Sequence, residues 1–107
     1  PLLTKKDDKV YVENFWASWC TSCIHELEIL EKLKKENPDV EFVAINAGEN
    51  KKKIKRFLKK YDFSYLILMD KNKKFSKSVG VLSLPQTFII GKNNEVLYKG
   101  EVPPIKI

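Results

Sequence analysis

The sequence has few of the side chains from which metal centres are built. It contains two cysteines and a single histidine, His25, and both cysteines lie within one short segment. A structural zinc ion takes about four nitrogen or sulfur ligands, and no second cysteine pair supplies the remainder. We therefore expect no metal site, and the sequence indicates no other cofactor.

Long apolar runs are also missing from the chain. No segment approaches the roughly 18 consecutive apolar residues of a membrane span. The first nine residues, PLLTKKDDK, lack the apolar stretch of a secretory signal. Because the chain begins with Pro1 rather than methionine, these absences leave open an upstream signal or membrane anchor.

The positive charge lacks the features that accompany nucleic-acid binding. The formal net charge is +6, but all except one of the 20 basic residues are lysines. Neither a glycine-rich loop nor an aromatic RNA-binding motif accompanies them. In NKKKIKRFLKKY, residues 50–61, apolar residues recur at helical spacing, so most of the lysines fall on the solvated face of one helix. We expect no nucleic-acid partner, although the charge can steer acidic partners at low salt.

The apolar patterns predict one α/β domain over residues 1–107. A chain of this length with 43% hydrophobic residues can bury one core. The predicted elements are a strand at 10–16, a helix from Cys20 that ends before Pro38, a strand at 40–46, a helix capped by Asn50, a strand at 65–69, a short helix capped by Asp70 and ended by Gly80, and the strands QTFII and EVLYK joined across GKNN. This order predicts an α/β sandwich with a parallel portion and a final antiparallel hairpin.

Both cysteines lie in NFWASWCTSCIHEL, residues 14–27, where the first strand gives way to a helix. At such a junction the unpaired N–H groups and the positive end of the helix dipole favour the thiolate of Cys20. Cys23 lies one helical turn further on, close enough for a disulfide with Cys20. A structural disulfide closing so small a loop removes little chain entropy, whereas a Cys-x-x-Cys pair beside a βαβ unit is typical of reversible redox chemistry.

The segment NFWASWCTSC resembles the active-site segment of thioredoxins. The segments FVAINAGEN and LPQTFII and the closing hairpin resemble the TlpA/ResA branch of thioredoxin-like proteins, and the likeness runs from about Val10 to Gly100. The resemblance implies a thioredoxin fold, a central mixed sheet flanked by helices. It also implies that Cys20 is the attacking thiol and Cys23 the resolving thiol.

The same resemblance implies a substrate-binding surface around the cysteines. It places a cis peptide bond between Leu84 and Pro85, facing the thiols, and an X-Pro bond is the kind for which the cis form costs little. The backbone of Leu84 would then be presented to an extended substrate segment, and Trp19, beside Cys20, would border it. The alternative is an ordinary trans proline that starts an edge strand.

Two positions concern the movement of protons. Cytosolic thioredoxins carry a buried Asp that exchanges protons with the resolving cysteine, whereas this sequence has Asn14, which cannot titrate. The resemblance implies that a Glu near the active site, matched by Glu49 in NAGEN, takes up this role. We expect partial burial beside the thiols to raise the pKa of Glu49, so that it accepts a proton from Cys23. The alternative is an exposed turn residue.

The end of the sequence departs from the thioredoxin pattern. Thioredoxin folds finish with a helix packed on the sheet, but GEVPPIKI, residues 100–107, contains Pro103 and Pro104 and is too short to form one. We expect the C-terminal helix to be missing or truncated. An uncovered sheet face would then be available to a second copy of the chain or to another partner.

The sequence predicts a protein-disulfide oxidoreductase that exchanges a Cys20/Cys23 dithiol or disulfide with protein substrates. By resemblance we expect a reductant that works outside the cytoplasm, in the periplasm or on the outer face of the membrane. We expect it to be anchored to the membrane through a segment outside this chain and to be re-reduced by a membrane or soluble thiol donor. Cytochrome c maturation is the expected process. Two alternatives remain. A peroxiredoxin-like peroxidase is disfavoured because such enzymes have a Pro- and Thr-bearing loop, not Trp19, before the reactive cysteine; the other is a non-catalytic chaperone that binds copper through both thiolates.

Overall fold

The computed structural model describes residues 9–61 and 65–102. Its elements are the strands β1 (Val10–Trp16), β2 (Val40–Ala47), β3 (Leu66–Asp70), β4 (Gln86–Ile90) and β5 (Val96–Gly100), and the helices α1 (Thr21–Glu36), α2 (Lys51–Lys60) and α3 (Lys74–Ser78). Strands and helices follow one another in the predicted order, and several boundaries move by one residue. None of the helices in these residues is both long and apolar enough to cross a bilayer.

Within the described residues, five strands form one mixed sheet in the order β3-β2-β1-β4-β5. The first three strands in sequence run parallel, with Val10 opposite Val40 and Trp16 opposite Asn46. β4 is antiparallel to β1, and β5 is antiparallel to β4, which makes the predicted closing hairpin. The carboxyl ends of β1 and β2 therefore meet at one edge of the sheet, which is where ligands and reactive groups collect in open α/β sheets.

Each face of the central strand β1 contributes to a separate core, because successive side chains of a strand point to opposite faces. Val12 and Trp16 pack with the apolar side of α1 and with Phe57 of α2, and the rings of Trp16 and Phe57 lie 4.7 Å apart. Phe15 faces the other way and stacks on Phe75 of α3, with ring centroids 6.0 Å apart. The sheet thus has helices on both faces.

The start of α3 differs from the prediction. Asp70 does not adjoin the helix: Lys73 precedes it, in a left-handed conformation with φ of 57° and without a side-chain cap. The carboxylate of Asp70 nevertheless reaches the first turn and accepts hydrogen bonds from the backbone N–H of Phe75, at 3.2 Å, and of Ser76, at 2.7 Å. At the other end Gly80 has φ of 80°, the left-handed conformation expected after a helix.

The prediction of a missing C-terminal helix falls mainly on residues 103–107. These residues lie outside the described part of the chain.

Candidate active site

Cys20 occupies the N-cap of α1, four residues beyond the end of β1. Its backbone is extended, and its Sγ accepts a hydrogen bond from the backbone N–H of Cys23 at 3.2 Å. This sulfur therefore satisfies one of the donors that a helix N-terminus leaves unpaired, and it lies at the positive end of the helix dipole. No acidic residue occurs in the first turn of α1 to oppose a negative charge there. Both effects favour the thiolate when the cysteine is reduced.

The two cysteines form a disulfide, with Cα atoms 5.2 Å apart. Their environments differ: Cys20 is 6% exposed, whereas Cys23 is completely buried. An incoming thiolate can therefore reach only the Cys20 side of the bond without displacing the core. The hydroxyl of Ser22 lies 3.6 Å from Sγ of Cys20, within the range of a weak hydrogen bond to sulfur.

The surface next to the disulfide is apolar and exposed. Trp19, directly before Cys20, is 67% exposed, and the Leu84–Pro85 peptide bond is cis. Trp19 lines a depression of about 90 Å³ together with Leu82 and Leu84. The structure therefore brings the predicted substrate-binding residues Trp19 and Leu84 together, and Pro85, next to Leu84 in the chain, is buried. Exposed apolar groups clustered in this way are typical of a surface that binds other proteins.

Glu49 does not have the properties that the sequence suggested. Its carboxylate is buried and accepts hydrogen bonds from the backbone N–H of Ser18 at 2.6 Å, from the Ser18 hydroxyl at 2.5 Å and from Nδ2 of Asn46 at 2.9 Å. Burial raises the pKa of Glu49, but these hydrogen bonds and the charge of Lys53 outweigh it and hold the pKa below its ordinary value of 4.5. The expected raised pKa is therefore wrong, because the expectation considered burial without the donors.

The geometry of Glu49 indicates a positioning role. Within residues 9–61 and 65–102 it makes no hydrogen bond to either cysteine, but Ser18 lies two residues before Cys20 and Asn46 lies near the end of β2. The carboxylate thus ties the turn that carries Cys20 to the neighbouring strand. A carboxylate whose pKa is lowered and which already accepts three hydrogen bonds is a poor proton acceptor for a thiol.

We expect Glu49→Gln to lower the free energy of unfolding by about 1 to 2 kcal/mol at neutral pH, because an amide replaces a charged acceptor of several donors. Since the folded-state pKa is depressed, the contribution is present above the ordinary carboxyl range and is lost as the pH falls through the folded-state pKa. Urea denaturation between pH 3 and 8 measures it. Glu28→Gln, on the exposed side of α1, is the matched control. If Glu49→Gln lowered the free energy of unfolding by the same amount at pH 3 and pH 7, the stabilising role of the ionised Glu49 carboxylate would be contradicted.

A buried carboxyl that the sequence interpretation did not identify lies on α1. Glu26 is one helical turn beyond Cys23, is 6% exposed, and its Oε2 has no hydrogen-bond partner among the described residues. Burial, with a smaller contribution from the charge of Glu101, raises its pKa from 4.5 to about 7. The helical pattern of the sequence could have indicated the burial of Glu26, because position 26 falls on the apolar face between Cys23 and Leu30.

The sequence matches the family model described as Redoxin over residues 3–106. A curated relative, the thiol-disulfide oxidoreductase ResA of Bacillus thuringiensis subsp. konkukian (strain 97-27), is 36% identical over 92 residues. The match covers 82% of this chain and 53% of that protein, so the chain spans about half the length of the relative.

Solved structures share the fold. StoA from Bacillus subtilis superposes with a TM-score of 0.80 at 22% identity, covering 94% of this chain and 78% of that one. The pneumococcal exposed lipoprotein thioredoxin of Streptococcus pneumoniae strain TIGR4 gives a TM-score of 0.76 at 25% identity, covering 88% of this chain and 75% of that one. The predicted thioredoxin-like fold is confirmed.

Proposed function

The chain belongs to the Redoxin family, and from this premise we propose that it is a thiol-disulfide oxidoreductase of the TlpA/ResA-like type. The observation that carries the proposal is the asymmetry of the Cys20–Cys23 pair. One sulfur caps a helix N-terminus and belongs to a residue that is 6% exposed, and its partner is completely buried one turn later. A structural crosslink would need neither the activating position nor the accessible surface beside it.

The proposed reaction has two exchange steps. In the reduced chain, the Cys20 thiolate attacks one sulfur of a substrate disulfide, a mixed disulfide forms, and the substrate's other sulfur leaves as a thiolate that takes up a proton. Cys23 then loses its proton and attacks Sγ of Cys20, so the second substrate thiolate leaves. That second thiolate also takes up a proton. Two electrons have passed from the chain to the substrate, and the two protons that the substrate gained balance the one lost when the Cys20 thiolate formed and the one lost by Cys23. The chain holds the disulfide. A second dithiol, on an electron-donor protein, must reduce it before the next cycle.

We propose that Glu26 accepts the Cys23 proton. Residues three apart on a helix are neighbours on its surface, and a carboxyl with a pKa of about 7 is close to half ionised at neutral pH. Such a group can accept a proton in the resolving step and give it up again afterwards. We therefore assign to Glu26 the proton-accepting role that the resemblance implied for Glu49, and Asn14, which cannot titrate, does not compete for it.

The location and substrates follow from similarity. The pneumococcal structure is described as an exposed lipoprotein thioredoxin, which supports an extracytoplasmic place for this chain. The resemblance to the TlpA/ResA branch supports a reductant of extracytoplasmic protein disulfides, with apocytochrome c as a candidate substrate.

Titration of the reduced cysteines tests the proposal. We expect alkylation of Cys20 by iodoacetamide to follow a pKa below the value of about 8.5 for a free cysteine, because the helix terminus stabilises the thiolate. The urea-unfolded chain is the control and should return to about 8.5. A Cys20 pKa at or above that of the unfolded chain would contradict the proposed activation.

The reduction potential of the pair gives the direction of exchange. Equilibration with glutathione mixtures should give a reduction potential of about −300 mV if the chain is a reductant, whereas about −120 mV is typical of an oxidant. The reductant assignment requires the more negative value.

A further inference from the structure

Trp19 borders a second depression, which no residue of the Leu84–Pro85 loop lines. It holds about 360 Å³ and lies between the turn before Cys20 and helix α2. Ile24, which also lines it, donates its backbone N–H to the carbonyl of Cys20 at 3.3 Å. The depression therefore begins within one helical turn of the reactive cysteine. A space of this size accommodates one or two side chains of a bound segment and falls at the lower end of the range for ligand pockets.

One face of α2 supplies a cationic rim to this depression. Lys53, Arg56 and Lys60 all line it, and their spacing places them on one side of the helix. The buried ring of Phe57 forms an apolar part of the lining and anchors α2 to Trp16. Across residues 9–61 and 65–102, none of the three rim cations forms an ion pair within 4 Å.

The lining carries a net positive charge. Its one carboxylate, Glu49, is buried, and the charge of Lys53 helps to hold its pKa low, so Glu49 offsets one of the three cations and two positive charges remain in excess. Positive charge around a partly apolar depression attracts an anionic group that also has an apolar stem.

Arg56 is the single arginine among the 20 basic residues of the chain. Its planar guanidinium can bind a carboxylate with two parallel hydrogen bonds, whereas an ammonium group acts as a point charge. Lysines are frequent on the exposed face of α2, whereas the one side chain shaped to bind a carboxylate with two hydrogen bonds lines the depression next to Trp19. This placement identifies the chemistry of the expected ligand.

We propose that this depression, bounded by Trp19 and the cations Lys53, Arg56 and Lys60, binds a carboxylate side chain close to the reacting cysteine of a protein substrate. The inference rests on the proposed thiol-disulfide exchange and names its substrate class: disulfides in acidic segments. Trp19 then separates two binding regions, one for the substrate backbone at Leu84 and one for its acidic side chain.

Peptide disulfides that differ only in charge test the proposal. One peptide carries Asp and Glu beside its cysteine and the other carries Asn and Gln at the same positions. We expect the reduced chain to reduce the acidic peptide about tenfold faster, measured as kcat/KM in 150 mM salt, because a charge-assisted contact of ordinary strength corresponds to about that factor. Equal rates for the two peptides would overturn the proposal.

Two triple variants separate the depression from general electrostatic steering. Lys53→Gln/Arg56→Gln/Lys60→Gln should reduce the preference to about twofold or less, whereas Lys52→Gln/Lys55→Gln/Lys59→Gln, on the exposed remainder of α2, should keep it. Each variant removes three positive charges, and circular dichroism checks that both fold. Equal loss in the two variants would assign the preference to steering and overturn the proposal.

A conservative variant tests the recognition chemistry, and the wild type tests the underlying activity. Arg56→Lys keeps the charge but loses the planar fork, so we expect it to lose part of the preference through a higher KM for the acidic peptide. An unchanged KM would count against carboxylate recognition by Arg56. If the wild type reduced neither peptide, the proposed exchange function itself would fail, a result distinct from the equal rates that overturn the acidic selectivity alone.

Discussion

Cys23→Ser is expected to convert the protein into a trap that holds its substrates on Cys20, with turnover lower by about three orders of magnitude or more. The Cys20 thiolate still attacks a substrate disulfide, because its place at the N-cap of α1 does not depend on the second sulfur. A serine hydroxyl cannot displace the substrate, so the mixed disulfide persists. Non-reducing electrophoresis and mass spectrometry of the captured partners measure the effect.

Cys20→Ser is the matched control for the trap. It removes the accessible sulfur and leaves the buried Cys23, so it should capture nothing. Capture by Cys20→Ser at the level of Cys23→Ser would contradict the assigned roles. If Cys23→Ser captures no protein and the wild type binds copper tightly, the result favours the alternative copper chaperone.

Glu26→Gln is expected to raise the free energy of unfolding by about 3 kcal/mol above pH 7. The folded-state pKa of Glu26, about 7, exceeds the ordinary carboxyl value of 4.5, so between these values the folded chain keeps a proton that the unfolded chain releases. The contribution of Glu26 to stability is therefore fully present below about pH 4.5 and is lost as the pH rises through 7. A shift of this size corresponds to about 3 kcal/mol, and a neutral amide avoids the loss.

Urea denaturation of the oxidised chain from pH 4 to pH 8 measures this difference. The wild type and Glu26→Gln should be nearly equal at pH 4 and diverge as the pH rises, whereas Glu28→Gln, exposed on the same helix, should follow the wild type throughout. A constant difference between the wild type and Glu26→Gln would show that burial does not raise the pKa of Glu26. We also expect Glu26→Gln, with both cysteines present, to resolve the mixed disulfide on Cys20 more slowly than the wild type near pH 7.

The order of elements could be predicted because it depends on local patterns. The helical spacing that begins at Cys20, the apolar run of β2 and the N-cap residue Asn50 are each encoded within a few neighbouring residues. The Asn50 side chain accepts a hydrogen bond from the N–H of Lys53 at 3.0 Å, as a cap requires. The place of Cys20 at the junction of strand and helix is likewise encoded by neighbouring residues.

Glu49 and Glu26 show where prediction from local pattern fails. Glu26 lies three residues after Cys23, and the resemblance implied that Glu49 lies near the cysteines. Burial alone would raise the pKa of each carboxyl. The tertiary fold supplies three donors to Glu49, from Ser18 and Asn46, and leaves one oxygen of Glu26 without a partner among the described residues. Their pKa values consequently move in opposite directions.

The sequence by itself determined the strands, the helices and the activated position of Cys20, because these depend on residues a few places apart. Only the tertiary structure decided which carboxyl has a lowered pKa, which has a pKa raised to about 7, and that the one arginine lines a depression next to Trp19. A hydrogen-bond donor, a buried environment or a pocket wall is supplied by residues far away in the chain. The free energy of a charge depends on those neighbours more than on the residue that carries it.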